Sequence, residues 1–196
     1  MLDEAGLQYV KIAASNQLDE HLIKSLLDQD APIDIFGVGT SVITGQPDAA
    51  LDGVYKLAYF RDVPRIKLSE TISKITLPHR KQVYRIYDEK GQFTGSDVIS
   101  LASEDDPEMM FHPFDPLKFK SVDKLKKEAL LKKVMENGEI LNPDYRLEEI
   151  AAYSKERLHK LPREYKRFFN PHIYKIGLSQ KLKEERDRLI EEHKTK

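Results

Sequence analysis

Two short loops hold the residue types best suited to chemistry in this sequence. Ser15-Asn16-Gln17-Leu18-Asp19-Glu20 follows the apolar run Gln8–Ala14, and Gly37-Val38-Gly39-Thr40-Ser41 follows Ile33–Phe36. A short helix beginning near Thr40, and another after Asn16, would each leave backbone N–H groups without an internal partner. Gly37 and Gly39 let the main chain approach a ligand closely. Amide donors gathered in this way suit an anion, and phosphate first of all. One charge-assisted hydrogen bond contributes about 1.5–3 kcal/mol, so two or three together reach the range of about 4–8 kcal/mol that spans millimolar to micromolar binding. The same residues also admit a purely structural reading. In it Ser15 or Asn16 caps the following helix, Asp19 completes its first turn, and the two glycines only make a tight turn.

No other segment offers a positioned acid, base or nucleophile, so no catalytic residue is assigned in this chain. The absence of cysteine excludes thiolate chemistry, iron–sulfur clusters and Cys-ligated zinc. His21, His79, His112, His159, His172 and His193 form no HxH or HExxH pattern, and no metal ligand is assigned. The acidic group Glu104, Asp105, Asp106 and Glu108 lies near His112 and reads as a solvated loop rather than a cation site. Arg61, Arg65, Lys67, Lys74, His79, Arg80, Lys81 and Arg85 spread over candidate strands, where such charges solvate outer faces and edges. They could otherwise meet phosphates or an acidic partner.

The two loops must be positioned by the strands before them. Leu18, Leu22, Ile23, Leu26 and Leu27 recur at helical spacing and Asp30-Ala31-Pro32 ends that helix, so residues 8–36 read as strand, helix, strand. A crossover of that size makes the two strands parallel neighbours and brings both loops to one carboxyl edge, where ligands bind in α/β folds. Beyond Thr40 the pattern changes. Val54–Phe60, Arg65–Ser69, Lys81–Tyr87 and Asp97–Ala102 are short β-branched and aromatic runs, expected as antiparallel sheet, with Glu89-Lys90-Gly91 as a hairpin turn. Residues Glu104–Pro116 are expected as a surface crossing. Asn137-Gly138 is a strong hairpin dipeptide, although the lysines before it would also allow a helix over 122–136. From Arg146 the spacing is helical with a break at Pro162, and Ser179 is placed to cap a last helix.

Composition narrows the class. With 196 residues, 40% hydrophobic and 33% charged, the chain suits a folded soluble protein. Neither a membrane span nor a secretion signal is legible, so a cytoplasmic location is expected and no membrane partner. Residues 1–117 carry 11 Lys and Arg against 19 Asp and Glu, while 118–196 carry 21 against 14. The basic third mixes lysine with glutamate on amphipathic helices and lacks interleaved aromatics, so nucleic acid is not expected as a partner.

Read together, KIAASNQLDEHLI, IDIFGVGTSVITGQPDAALDGVYKL, PRIKLSE, KITLPHRKQVYRIYD, MFHP, EEIAAYSKERLHKL, EYKRFFNPHIY and LSQKL resemble, in order, the C-terminal half of nicotinate phosphoribosyltransferases. The resemblance covers nearly the whole chain. It implies an enzyme of pyridine salvage that makes nicotinate mononucleotide and pyrophosphate from nicotinate and phosphoribosyl pyrophosphate, with coupled ATP hydrolysis and a magnesium requirement. It also implies a fold class: an α/β portion of an irregular TIM-like barrel, its late βα units in residues 1–52. A mainly β segment over 53–145 contributes to a second domain, and a helical segment follows over 146–196.

By position, the resemblance assigns Ser15 and Asn16 to a first phosphate-binding loop and Gly37, Gly39 and Thr40 to a second, with Asp19 and Glu20 at the helix start as loop-positioning residues. Two residues depart from the family pattern. An acidic residue is usual at Gln17, and glycine is usual at His79, so a tight turn there comes into question. The family is also considerably longer. The resemblance therefore implies an upstream part that carries the nicotinate pocket, the magnesium ligands and the histidine phosphorylated in ATP coupling, and a homodimer as the working form. Two or three strands cannot close a barrel, so this portion alone is expected to be inactive. The alternatives are a stand-alone phosphate or nucleotide sensor and a non-catalytic assembly subunit.

Overall fold

The computed structural model describes residues 2–46, 48–50, 53–141 and 146–194. They form two compact units, Met1–Tyr55 and Lys56–Lys196.

The first unit is a strand-helix-strand-helix run. Strand β1 (Ala13–Ser15) pairs in parallel with β2 (Ile35–Gly37) in the register Ala13↔Ile35, Ala14↔Phe36 and Ser15↔Gly37. Helix α1 (Glu20–Asp28) connects them, and the short helix α2 (Thr40–Thr44) follows β2. Strand formation is shorter than the runs 8–14 and 33–36 suggest, because among the described residues each strand pairs only with the other. The Asp34 carboxylate accepts the Ile12 N–H at 2.8 Å and fixes the approach to β1. At the far end of α1 the Ala31 N–H returns to Leu26 O at 3.1 Å, Asp30 turns left-handed, and Pro32 prevents continuation. Leu18 is buried, whereas Leu22, Leu27, Ile35, Val42 and Ile43 of the same unit are exposed.

The second unit is built on a six-stranded sheet whose strands, from one edge to the other, are β8 (Phe119–Ser121), β7 (Met109–Phe111), β12 (Lys175–Leu178), β6 (Phe93–Leu101), β5 (Lys81–Tyr87) and β9 (Lys127–Ala129). Its centre is the long antiparallel pair β5 (Lys81–Tyr87) and β6 (Phe93–Leu101). The turn between them is held by Asp88, whose Oδ1 accepts the N–H groups of Lys90 and Gln92, and Gly91 supplies a positive φ. Strands β7 (Met109–Phe111), β8 (Phe119–Ser121) and β9 (Lys127–Ala129) extend the sheet. Strand β12 (Lys175–Leu178) lies between β6, to which it is parallel, and β7. Helix α4 (Gln180–Lys194) follows at once and buries Leu182 and Leu189. The apolar cluster joins Tyr84, Ile86, Val98, Met110 and Val122.

Several expectations change. Of Val54–Phe60 only the last two residues are strand and Arg65–Ser69 is none; the pairing there is the small hairpin of β3 (Tyr59–Phe60) and β4 (Val63–Pro64), turned by Arg61 and Asp62 with positive φ. Glu104–Pro116 is more than a surface crossing, since it contains β7 with Pro107 and Met110 buried. Residues 122–136 form no helix: Asn137 and Gly138, both at positive φ, turn the hairpin of β10 (Met135–Glu136) and β11 (Glu139–Ile140). Helix α3 (Leu147–Lys160) stops before Pro162, as its ring requires. The segment after it is not purely helical, because β12 completes the central sheet. Among the described residues no helix is long and apolar enough to cross a membrane.

Candidate functional site

Parallel pairing decides the geometry of the first unit. Ser15 and Gly37 are the last paired residues of β1 and β2, so the chain leaves both strands at the same edge. A β-carbon on Gly37 would lie 3.2 Å from Ser15 Cβ, a tight contact that glycine avoids. After Ser15 the backbone turns through two left-handed residues, Asn16 (φ 86°) and Gln17 (φ 44°). Leu18 then buries its side chain and anchors the loop. Asparagine tolerates this conformation, so its position was readable as a turn; nothing in a glutamine announces it.

The two helix starts differ. At α1 the cap is Asp19, whose Oδ1 accepts the Leu22 N–H at 2.7 Å, so neither Ser15 nor Asn16 caps this helix. Glu20 is exposed with its Oε1 3.7 Å from His21 Nε2. The N-terminus of α1 thus already faces a carboxylate. At α2 the N-cap is Gly39, which brings no side chain, and the first bonds back are from Val42 and Ile43 N–H to Gly39 O. The amides of Thr40 and Ser41 precede those bonds. Gly39 does not have a positive φ, and a β-carbon there would meet nothing within 4 Å. Its bareness leaves the edge open. Ser15, Asn16, Gly37, Gly39 and Thr40 are all exposed.

The basic run of the second unit disperses. Lys81 donates to the carbonyls of Leu77, Pro78 and His79 at 2.8, 3.2 and 2.6 Å, and burial lowers the pKa of its ammonium. It ties down a turn in which His79 stands at φ 67°. His79 Nε2 lies 3.3 Å from Glu185 Oε2. Arg80 covers the Tyr59 ring and Arg61 the Phe60 ring.

Sequence reasoning missed two partly buried polar clusters. Arg85 forms a two-pronged pair with Asp97 at 3.0 and 3.1 Å, and Tyr174 donates to the same carboxylate at 2.8 Å. The hydrogen bonding of Arg85 to Asp97 raises the pKa of its guanidinium above the ordinary value, against burial. In the second cluster Arg157 reaches Glu128 Oε2 at 2.6 Å and Tyr87 Oη at 2.9 Å, while Tyr87 donates to Glu128 at 2.5 Å. These partners lie up to 77 residues apart, and no local pattern links them. Among the described residues no group of three or more His, Asp or Glu could hold a metal ion.

Known proteins resemble this chain. The profile of the nicotinate phosphoribosyltransferase C-terminal domain matches residues 80–186. A nicotinate phosphoribosyltransferase of Bacillus subtilis is 37% identical over 188 residues, covering 92% of this chain and 38% of that protein. Its counterpart from Caenorhabditis elegans is 36% identical over 179 residues, with 88% of this chain and 32% of the relative covered. The crystal structure of human nicotinic acid phosphoribosyltransferase is similar with a TM-score of 0.73 and 25% identity, over 96% of this chain and 36% of that one. The chain spans a little over a third of the length of two of these relatives and just under a third of the other.

Proposed function

The chain belongs to the nicotinate phosphoribosyltransferase C-terminal domain family, and from that premise we propose that it is the C-terminal part of an enzyme of NAD salvage. The complete enzyme forms nicotinate mononucleotide and pyrophosphate from nicotinate and phosphoribosyl pyrophosphate, coupled to ATP hydrolysis. In this reading the first unit supplies late βα units of an irregular TIM-like barrel that an upstream part closes. The six-stranded sheet belongs to the second domain. The working form is a cytoplasmic homodimer, and this portion alone is inactive.

The share of this chain is to hold the terminal phosphate of the sugar. The Ser15↔Gly37 register supports that role, because it sets the loops Ser15–Asn16 and Gly37–Thr40 side by side at a carboxyl edge, where TIM-like folds commonly place a phosphate site. Asp19 and Glu20 make the start of α1 unfavourable for an anion, whereas the bare edge at Gly39 and Thr40 is favourable. Fixing the phosphate aligns the ribose carbon with its attacking and leaving groups; this is catalysis by positioning, not by proton transfer. Magnesium and ATP belong to the complete enzyme. Among the described residues no group of three or more His, Asp or Glu could hold the metal.

The test is Gly39→Asp in the enzyme assembled with its upstream part. The site has room for the side chain, so the fold should persist while the added carboxylate repels phosphate. The KM for phosphoribosyl pyrophosphate is expected to rise at least tenfold, with Gly39→Ala close to wild type. An unchanged KM in Gly39→Asp refutes the assignment.

A further inference from the structure

Ile12 and Asp34 hold each other at the end of the β1–β2 pair that lies away from the phosphate loops. The Asp34 N–H donates to Ile12 O at 2.9 Å, and Asp34 Oδ2 accepts the Ile12 N–H at 2.8 Å, so one residue meets both backbone polar groups of Ile12. The Ile35 N–H shares the same carbonyl at 3.2 Å. The regular ladder begins one residue later, at Ala13↔Ile35, and ends at Ser15↔Gly37. It is short, and among the described residues its two strands pair with no other. Burial does little to choose its register, because Leu18 is the only buried residue among those described in the first unit. A slip of one residue would carry Gly37 about 3.3 Å along from Ser15 and turn the side chains of one strand to the opposite face. The aspartate side chain is short, so a carboxylate mounted one residue before Ile35 meets the Ile12 N–H in this register and loses it in a slipped one.

We propose that Asp34 is a positioning residue for the phosphate edge: its bond to the Ile12 N–H sets the β1–β2 register, and with it the spacing of Ser15–Asn16 against Gly37–Thr40. The inference rests on the phosphate role proposed above. Asp34 precedes β2 whereas the loop follows it, so its charge stands about 10 Å along the strand from the phosphate edge and it acts through the backbone.

The experiment has two arms. In the full chain, backbone NMR contacts between Ala13–Ser15 and Ile35–Gly37 report the register directly, whatever the loops bind. They should weaken or shift in Asp34→Ala and persist in Asp34→Asn, which keeps an acceptor oxygen and drops the charge. In the enzyme assembled with its upstream part, Asp34→Ala should raise the KM for phosphoribosyl pyrophosphate about fivefold or more and leave the KM for nicotinate within about twofold. Asp34→Asn should return the first KM to within about twofold of wild type. A loss of folded enzyme alone would lower kcat and leave both KM values in place. Unchanged strand contacts in Asp34→Ala, or an Asp34→Asn as impaired as Asp34→Ala, overturn the proposal. Gly39→Asp, measured alongside, separates the two readings. If it raises the KM while Asp34→Ala does not, the register role falls and the phosphate role stands; if neither raises it, both fall.

Discussion

Tyr165 lies so close over Gly95 that a β-carbon at position 95 would overlap its ring. Gly95 sits in an irregular stretch of β6 where the pairing with β5 shifts between Arg85 and Tyr87, and its φ is +70°. The Tyr165 hydroxyl is 3.5 Å from Thr94 O, and its ring meets His172 and Tyr174 edge to face. One glycine thereby lets the segment after α3 settle on the central sheet. Gly95→Ala should destabilise the chain by about 2–4 kcal/mol, from a left-handed β-carbon and overpacking together. The midpoint of urea unfolding reads this; an unmoved midpoint contradicts the packing.

His79 occupies a left-handed position with a full side chain. Replacing it by glycine or by alanine removes the ring and its contact with Glu185 in both cases, but only alanine keeps the β-carbon. His79→Gly should therefore be more stable than His79→Ala by about 1 kcal/mol. Equal midpoints for the two variants would show that the turn is unstrained.

Arg85 and Asp97 bind through two parallel hydrogen bonds, and Asp97 has only 7% of its side chain exposed. Asp97→Ala leaves a partly buried guanidinium unpaired and should cost about 2–4 kcal/mol, while Arg85→Met with Asp97→Leu should cost less than that single change. Thermal unfolding of both variants decides the matter, and a double variant less stable than Asp97→Ala would show that the pair contributes more than its apolar replacement.

Burial opposes the charge of Glu128, yet the hydrogen bonds from Tyr87 and Arg157 outweigh it and hold its carboxyl below the usual value of 4.5. A carboxylate with a lowered folded pKa stabilises the fold above its unfolded pKa, and that contribution is lost as pH falls through the folded one. Wild type should lose stability from about pH 5 downward, with Glu185 and Asp187, also lowered, adding to the loss. The gap between wild type and Glu128→Gln should shrink over the same window. Parallel stability curves from neutral pH to pH 3 would contradict the linkage.

Gly37→Ala tests the phosphate edge from the other side. The new methyl would press on Ser15 Cβ, and the two loops would have to part by a few tenths of an ångström. In the assembled enzyme the KM for phosphoribosyl pyrophosphate should rise several-fold with little change in unfolding midpoint. A wild-type KM would mean that the spacing of the loops does not matter to the ligand.

Elements whose causes are local were legible along the chain. Pro32 and Pro162 end helices because a pyrrolidine ring cannot continue one, Asn137-Gly138 and Gly91 accept the positive φ of tight turns, and Ser179 caps α4 through Leu182 N–H. The sequence also carried the family, through many short motifs in order. Tertiary structure decided what depends on partners distant along the chain. The short run Lys175–Leu178 becomes a central strand only because β6 and β7 flank it, and Met109–Phe111 is a strand for the same reason. Arg85, Arg157 and Lys81 read as surface charge until Asp97, Glu128 and three carbonyls come within bonding distance. Backbone preference acts between neighbours in sequence, whereas pairing and burial act between neighbours in space, and only folding makes the second set known.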